Sequence, residues 1–370
     1  MGCFNPDPYP NDRFLAVIWT MYNEFCFYVR EMNEREIYFA VTFLIINIFH
    51  VAVLTRKKLR SHPIYIIMAA IAILDICSLW YSVHRSIIRI FKVFQICFSK
   101  RTDYVLLWIQ IFLDCSRNYT RRCSTWLSFS ITVIRTLVIR YPLHRKFEIL
   151  SKPKIAYYLI IGICFFCSLI HIIDPFRYEI TRVEGKYYCD QRSLHEYYWF
   201  GDTELIWKNE YFVAKIIKIV DGLISRLIPF ILFTIATYFL IQEIRKAEKQ
   251  RQAMSSGAEV KASKNTSNLV LALTLSFFVA GFPLGVVCVL SPFSPSSKSP
   301  DDGFVMYIVL STMEDFFSNI MNMSTAAHMV ICVLMSTQYR DCFLKIIRFG
   351  YVPERKGQES TVTAESRIQN

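Results

Sequence analysis

Charge is scarce in this chain of 370 residues: 19% of positions are Asp, Glu, Lys or Arg, against 54% apolar and 15% aromatic. That shortage argues against the two or three soluble domains the length would allow, and for a core embedded in lipid. Metal-site patterns are lacking as well. The seven histidines (His50, His62, His84, His144, His171, His195 and His328) form no HxxxH or HExxH pair, and no CxxC is joined to histidines at zinc spacing. A membrane metallohydrolase and a structural metal are therefore disfavoured, no enzyme is expected, and no cofactor is called for. Paired repeats with broken helices in both halves, the mark of many transporters, are missing. No cleavable leader is expected either, because Phe14–Trp19 is too short for its apolar core. Pro6 stands where myristoylation of Gly2 would need Ser or Thr, so the first span is expected to act as its own insertion signal. The twelve cysteines make no disulfide framework. Cys77, Cys115, Cys123, Cys164, Cys167, Cys288 and Cys332 lie in apolar stretches, where cysteine packs as a small hydrophobe.

What the chain does have is long apolar segments separated by short basic loops. Ile37–Leu54, Ile64–Val83, Ile155–Ile173 and Leu269–Leu290 are plain membrane helices by length and apolarity. A fifth, over about 212–241, carries Lys215, Lys218 and Arg226. Two more, over about 108–139 and 304–335, contain Asp114, Arg117, Arg121 and Arg122, and Glu314 and Asp315; hydropathy alone does not secure either. Charge bias settles the number. The loop 55–62 has Arg56, Lys57, Lys58 and Arg60 and no acid, 140–154 has five basic residues against one acid, and 243–266 has six against three. The loop 174–210 instead has five basic and eight acidic residues. Positive loops face the cytoplasm; only seven spans, beginning outside, put all three basic loops and the tail inside. The net charge of +12 thus belongs to a lipid-facing cytoplasmic surface and not to nucleic-acid binding. The expected fold is all-α, a seven-transmembrane helix bundle with a short amphipathic eighth helix. Residues 1–36 form an extracellular N-terminus, 37–335 the bundle, 336–349 the eighth helix and 350–370 a disordered tail. In the eighth helix Tyr339, Phe343, Ile346 and Ile347 form the apolar stripe that lies on the inner leaflet.

The order of motifs carries more than the number of spans. Asn47, then Ala72-Ile-Leu-Asp75, then Ile134-Arg135-Thr136 with Tyr141-Pro142-Leu143, then Pro229, then Phe277 with Pro283, resembles the rhodopsin class of G-protein-coupled receptors. The closing run His328–Arg340, with Asn47-x-x-His50, Leu54–Arg60 and Ser124-Thr-Trp-Leu127, is similar to the nematode serpentine receptor class W, itself similar to FMRFamide-type peptide receptors. The resemblance covers about 37–345. It implies a multi-pass plasma-membrane receptor with its N-terminus outside, an extracellular ligand (a neuropeptide, or alternatively a small chemosensory molecule) and a heterotrimeric G protein as partner. Three positions depart from the pattern: Ile134 replaces the acid before the third-helix arginine, Gly281 replaces the aromatic before Pro283, and His328-Met-Val-Ile-Cys332 replaces the usual seventh-helix NPxxY pattern.

The resemblance also implies roles. Asp75 with Asn47, Ser124, Ser324 and His328 forms an activation relay or sodium site, against the plainer reading of a protonated Asp75 bonded within the bundle. Arg135, with Pro142 and Leu143, couples to the G protein, against an arginine that merely snorkels to phosphates. A disulfide joins Cys97 to Cys189, with Cys115 as the rival partner because Gln110 occupies the usual helix-three position; Cys3 and Cys26 are a second candidate pair. From the residues themselves, Arg117 and Arg121 share one helix face, as do Glu314, Ser318 and Asn322. Together with Lys218 and Asp221 they outline a charged ligand cavity, against simple internal pairing. Counting Arg117, Arg121, Lys215 and Lys218 against Asp221, Glu314 and Asp315, with Arg122 and Arg226 set aside as facing neighbouring helices, leaves one surplus positive charge. A ligand acid on Arg117 and Arg121 is therefore expected, whereas the resemblance favours a ligand cation on Glu314 or Asp221. Tyr187, Tyr188, Tyr197, Tyr198 and Trp199 in the long 174–210 loop favour a peptide.

Overall fold

The structure is a computed structural model that describes residues 13–141, 149–172, 174–187, 190–204, 212–252, 272, 275, 278–279, 281–293 and 302–348. Two helices, α1 (Arg13–Glu34) and α2 (Glu36–Leu54), follow each other almost without a break. After the short α3 (Lys57–Arg60) come α4 (Pro63–Val93), α5 (Lys100–Arg140) and α6 (Pro153–His171). A hairpin of β1 (Tyr178–Tyr187) and β2 (Asp190–Asp202) leads to α7 (Phe212–Asp221), a π turn (Gly222–Leu227) and α8 (Ile228–Gln252). The continuous described stretch of the sixth span is α9 (Gly281–Phe293); α10 (Asp302–Met335) and α11 (Thr337–Ile347) complete the fold.

Local sequence explains the boundaries. Pro63 and Pro153 open α4 and α6 at the helix position that needs no N–H. Ser99 caps α5 by accepting from the Thr102 N–H at 3.2 Å, and Ser336 caps α11 by accepting from that of Tyr339 at 3.2 Å. At 19 residues α2 is about 28 Å long, close to the bilayer core, whereas the 41 residues of α5 reach about 60 Å and project beyond it. Among the described residues, five helices are long and apolar enough to cross a membrane. The third span, α5, is not among them, because Asp114, Arg117, Arg121 and Arg122 dilute its apolarity. The seventh, α10, does qualify, so hydropathy alone reaches it after all.

Burial shows what each helix faces. In α6 only Ala156 and Cys167 are buried, and Tyr158, Ile161 and Phe165 are exposed, as befits a helix on the lipid side. The apolar core is densest at the end of the bundle that carries α3 and α11, around Leu54, Leu59, Ile67, Leu127, Ile134, Phe230 and the fully buried Tyr339. Along α11, Phe343 and Ile346 pack against that core while Ile347 is exposed.

Two elements lie outside the expected pattern. Within the 174–210 loop, a 3-10 turn (Asp174–Arg177) leads into an antiparallel pair of strands in register Tyr178↔Asp202 through Gly185↔His195, with a bulge near Gly185. Its Tyr, Ile, Val, Trp and Phe content suits a pleated surface. The segment before the first span is the helix α1, whose Trp19, Tyr22 and Val29 are buried. Tyr22 Oη meets Thr312 Oγ1 at 2.8 Å and Phe25 packs on Phe316 at 5.0 Å, which fixes α1 to α10.

The fifth and sixth spans approach through glycine. A Cβ on Gly222 would meet Val289 at 2.9 Å, and one on Gly285 would meet Arg226 at 3.2 Å. At Gly281 the space is already taken: the ring of Phe230, 2% exposed, occupies it. The aromatic missing from the sixth helix is thus supplied by the fifth. Gly281→Leu is expected to lower the thermal midpoint of the purified protein by overpacking, on the order of 1–3 kcal/mol, and Phe230→Ala in the same chain to recover part of the loss. Strictly additive losses in a melting series would show that the two residues do not share one space.

Candidate functional site

A cavity of about 240 Å³ lies among α5, the π turn, α9 and α10, under the hairpin. From α5 it is lined by Asp114, Arg117, Asn118 and Arg121, one face of successive turns. Lys218 and Asp221 enter from α7 and Arg226 from the π turn. Glu314 and Ser318 come from α10, and Leu284, Cys288 and Ser291 from α9. Arg177 and Tyr178 close it from the start of the hairpin.

The charges are arranged in distinct ways. Arg117 Nη2 pairs with Asp114 Oδ1 at 2.5 Å, one turn back on the same helix, and its guanidinium lies 3.9 Å from the Tyr81 ring centroid. The other Asp114 oxygen accepts from Tyr178 Oη at 2.9 Å. Burial and the adjacent Asp114 carboxylate push the Tyr178 phenol well above its usual value, so it remains a donor. Arg121 donates to Ser318 Oγ at 3.1 Å and to Asn322 Oδ1 at 2.5 Å; both partners are neutral. Arg122, fully buried, turns to the fifth span, donating through Nε to Ser225 Oγ at 2.5 Å and through Nη2 to Asp221, with Asp174 at 3.7 Å.

Sequence reasoning therefore gathered Arg117, Arg121, Lys218, Asp221, Glu314 and Ser318 around one space, with Asn322 a turn deeper. Three assignments change. Arg226, set aside as facing a neighbour, lines the cavity because the π turn inserts one extra residue and rotates the helix beyond it. Lys215 is exposed and not part of the lining. Asp315 turns to α1, where Asn33 Nδ2 reaches it at 3.4 Å. Asp114, Asn118, Arg177 and Tyr178 were missed as lining residues. For Asp114 the i,i+3 spacing to Arg117 was a readable signal; for Tyr178 there was none.

A second polar layer lies deeper. Asp75 accepts from Ser124 Oγ at 3.1 Å and lies 3.7 Å from His328 Nδ1, all three buried. Asn47 does not reach Asp75; it donates to Thr325 Oγ1 at 3.2 Å and to the Phe43 carbonyl at 2.9 Å. Ser324 is turned to the Met321 carbonyl at 2.8 Å. Below this layer Tyr65 Oη meets Ser336 Oγ at 2.8 Å and His50 Nδ1 meets Tyr339 Oη at 2.6 Å. Arg135 is half-buried near Tyr65, and its Nε has no hydrogen-bond partner. Cys115 is a free buried thiol, whereas Cys26 and Cys97 are not among the free cysteines. Cys3, Pro142, Leu143, Cys189, Phe277 and the tail 350–370 lie outside the described residues. Among the described residues no group of three or more His, Cys, Asp or Glu is placed to hold a metal ion.

Residues 34–350 match the family model described as "Serpentine type 7TM GPCR chemoreceptor Srw". Two Caenorhabditis elegans proteins are similar. One, F59B2.13, named as a candidate G-protein coupled receptor, is 23% identical over 264 residues, which is 67% of this chain and 59% of the relative, so the chain spans less than two thirds of it. The other, the G-protein coupled receptor dmsr-1, is 21% identical over 382 residues, covering 91% of this chain and 71% of the relative.

The Arg122–Asp221 bridge predicts a non-additive pair. Asp221→Leu leaves a buried guanidinium short of its partner and is expected to cost about 3–5 kcal/mol. Arg122→Met together with Asp221→Leu should restore most of that, as read from thermal midpoints of the purified protein.

Proposed function

Because the chain belongs to the Srw family of serpentine seven-transmembrane G-protein-coupled chemoreceptors, we propose that it is a plasma-membrane peptide receptor. Its N-terminus and the hairpin face outside, and the cavity under the hairpin takes one end of the ligand. Family membership supports a receptor reading over an enzyme, and implies a ligand and a heterotrimeric G protein as partners.

The observation that carries the peptide reading is the cavity's form. At about 240 Å³ it is smaller than the 300–1,000 Å³ or so that a whole drug-sized ligand fills. One side chain or one chain end fits, and the rest of the ligand must lie above it. There the hairpin presents aromatic surface: Trp199 is 53% exposed and stacked on Phe200, and Tyr198 packs on Tyr104 of α5. The same small volume supports the second reading, a small chemosensory molecule enclosed on its own. Arg117, Arg121, Lys218, Asp221, Glu314, Ser318 and Asn322 are the proposed contact set, with Asp114, Arg226 and Tyr178 added by geometry.

Asp75, Ser124 and His328 act as the relay beneath the ligand, with Asn47 and Ser324 as neighbours. Arg135, Pro142 and Leu143 form the coupling end. A disulfide from Cys97 to Cys189 ties the hairpin to the outer end of α5; the state of Cys97 and the free thiol of Cys115 support it.

Screening a neuropeptide library in cells that express the chain with a promiscuous G protein tests the whole reading. Peptide activation whose binding is sensitive to guanine nucleotide supports it, and activation by small molecules alone transfers it to the second. Two variants probe the parts. Ile134 is buried beside Arg135 where an acid would pair with it, so measurable basal signalling is expected, and Ile134→Asp should lower it several-fold in a second-messenger assay. Cys97→Ser, Cys189→Ser and the double variant should lose surface expression to the same degree; additive losses would assign the two cysteines to different partners.

A further inference from the structure

The cavity carries more positive charge than its own acids can match. Its lining holds five cationic side chains, Arg117, Arg121, Arg177, Lys218 and Arg226, and three carboxylates, Asp114, Asp221 and Glu314. Two of those carboxylates are engaged. Asp114 is held by Arg117 and Tyr178, and Asp221 is held by Arg122, which does not line the cavity, and by Ser225. Arg117 is therefore neutralised within its own helix turn, and the hydrogen bonds of Asp221 go to Arg122 and Ser225, although its charge also acts on Arg226. Arg121 meets only the neutral Ser318 and Asn322. Arg226 has a buried Nε without an acceptor. The two guanidiniums lie within electrostatic range of each other, so each makes the other's burial costlier. Asp221 and Glu314 lie within the same range of Arg226, and Asp75 and Glu36 within that of Arg121, but among the described residues no carboxylate forms an ion pair with either guanidinium.

We propose that Arg121 and Arg226 form a seat for a ligand carboxylate, so that the receptor's ligand is an acid. This rests on the cavity being the ligand site. A carboxylate between two guanidinium forks gains charge-assisted hydrogen bonds from both and removes the like-charge repulsion. Arg117, already paired, shapes the wall and is not the anchor, contrary to the expectation from spacing alone. The carboxylate is either the free C-terminus of a peptide or an Asp or Glu side chain near its end.

Two measurements test the seat. The first uses synthetic pentapeptides made as matched free acids and carboxamides, with and without Asp or Glu, on cells expressing the chain with a promiscuous G protein. Activators are expected only among members bearing a carboxylate. Loss of activity on amidation alone identifies the C-terminus, and its retention in amides containing Asp or Glu identifies the side chain. Arg121→Gln and Arg226→Gln, normalised to surface expression, should each lose at least tenfold in potency, and Arg226→Lys less than Arg226→Gln. Activators confined to amides without acidic residues overturn the seat and leave the peptide receptor standing.

The second measurement needs no ligand. Arg117→Met should lower the thermal midpoint of the purified receptor clearly more than Arg226→Met, because it orphans the directly paired Asp114 whereas Arg226 forms no ion pair among the described residues. If no pentapeptide activates, the peptide reading fails and the midpoints decide the seat by themselves. An Arg226→Met midpoint as low as that of Arg117→Met overturns it.

Discussion

Charge in hydrocarbon is the constraint on which this fold depends. The third span carries Asp114, Arg117, Arg121 and Arg122 along less than three turns, and an isolated helix of that kind has no stable place in a bilayer. It crosses because every neighbour supplies a partner. The hairpin offers Tyr178, the fourth span leads into Asp174, the fifth gives Asp221 and Ser225, and the seventh gives Ser318 and Asn322. The π turn belongs to the same solution. By shifting the fifth span by one residue it points Asp221 and Ser225 together at Arg122 and sends Arg226 into the cavity.

The seventh span connects the polar layers in sequence. Going down α10, Ser318 and Asn322 hold Arg121, Thr325 holds Asn47 and His328 lies beside Asp75; at its end Ser336 meets Tyr65. A shift of this one helix would be felt at the cavity and at the end that bears Arg135. At its N-terminal end α10 is held by α1 through Tyr22 and Phe25 and again through Asn319 and Asn33. The N-terminal helix is therefore part of the frame that sets the cavity's width.

Between the fifth and sixth spans the fold relies on absence of side chains. Gly222, Gly281 and Gly285 let the two helices approach closely, and Phe230 takes the space at Gly281. In a bilayer such small-residue contacts hold helices together by packing, because lipid tails offer no hydrophobic drive toward association. The glycine and the phenylalanine are understandable only as a pair. Read singly, Gly281 is a lost aromatic and Phe230 one apolar residue among many.

What the sequence by itself determined was the architecture. The number of spans, the third span that hydropathy misses and the basic loops between spans follow from the requirement that backbone and charge be satisfied in lipid. The motif order from Asn47 to Arg340 led to the family, and helical spacing brought Arg117, Arg121, Glu314 and Ser318 to one cavity. Tertiary structure decided which charges are spent on one another. Arg117 pairs within its own turn, Arg122 across to the fifth span, Asp315 with the N-terminal helix, and Arg226 faces the cavity after a one-residue register shift. A pattern of charges along a chain states how many there are and which share a face. An ion pair depends on ångström distances between different helices, and those are set by packing, by an inserted residue and by a hairpin that no helical periodicity encodes.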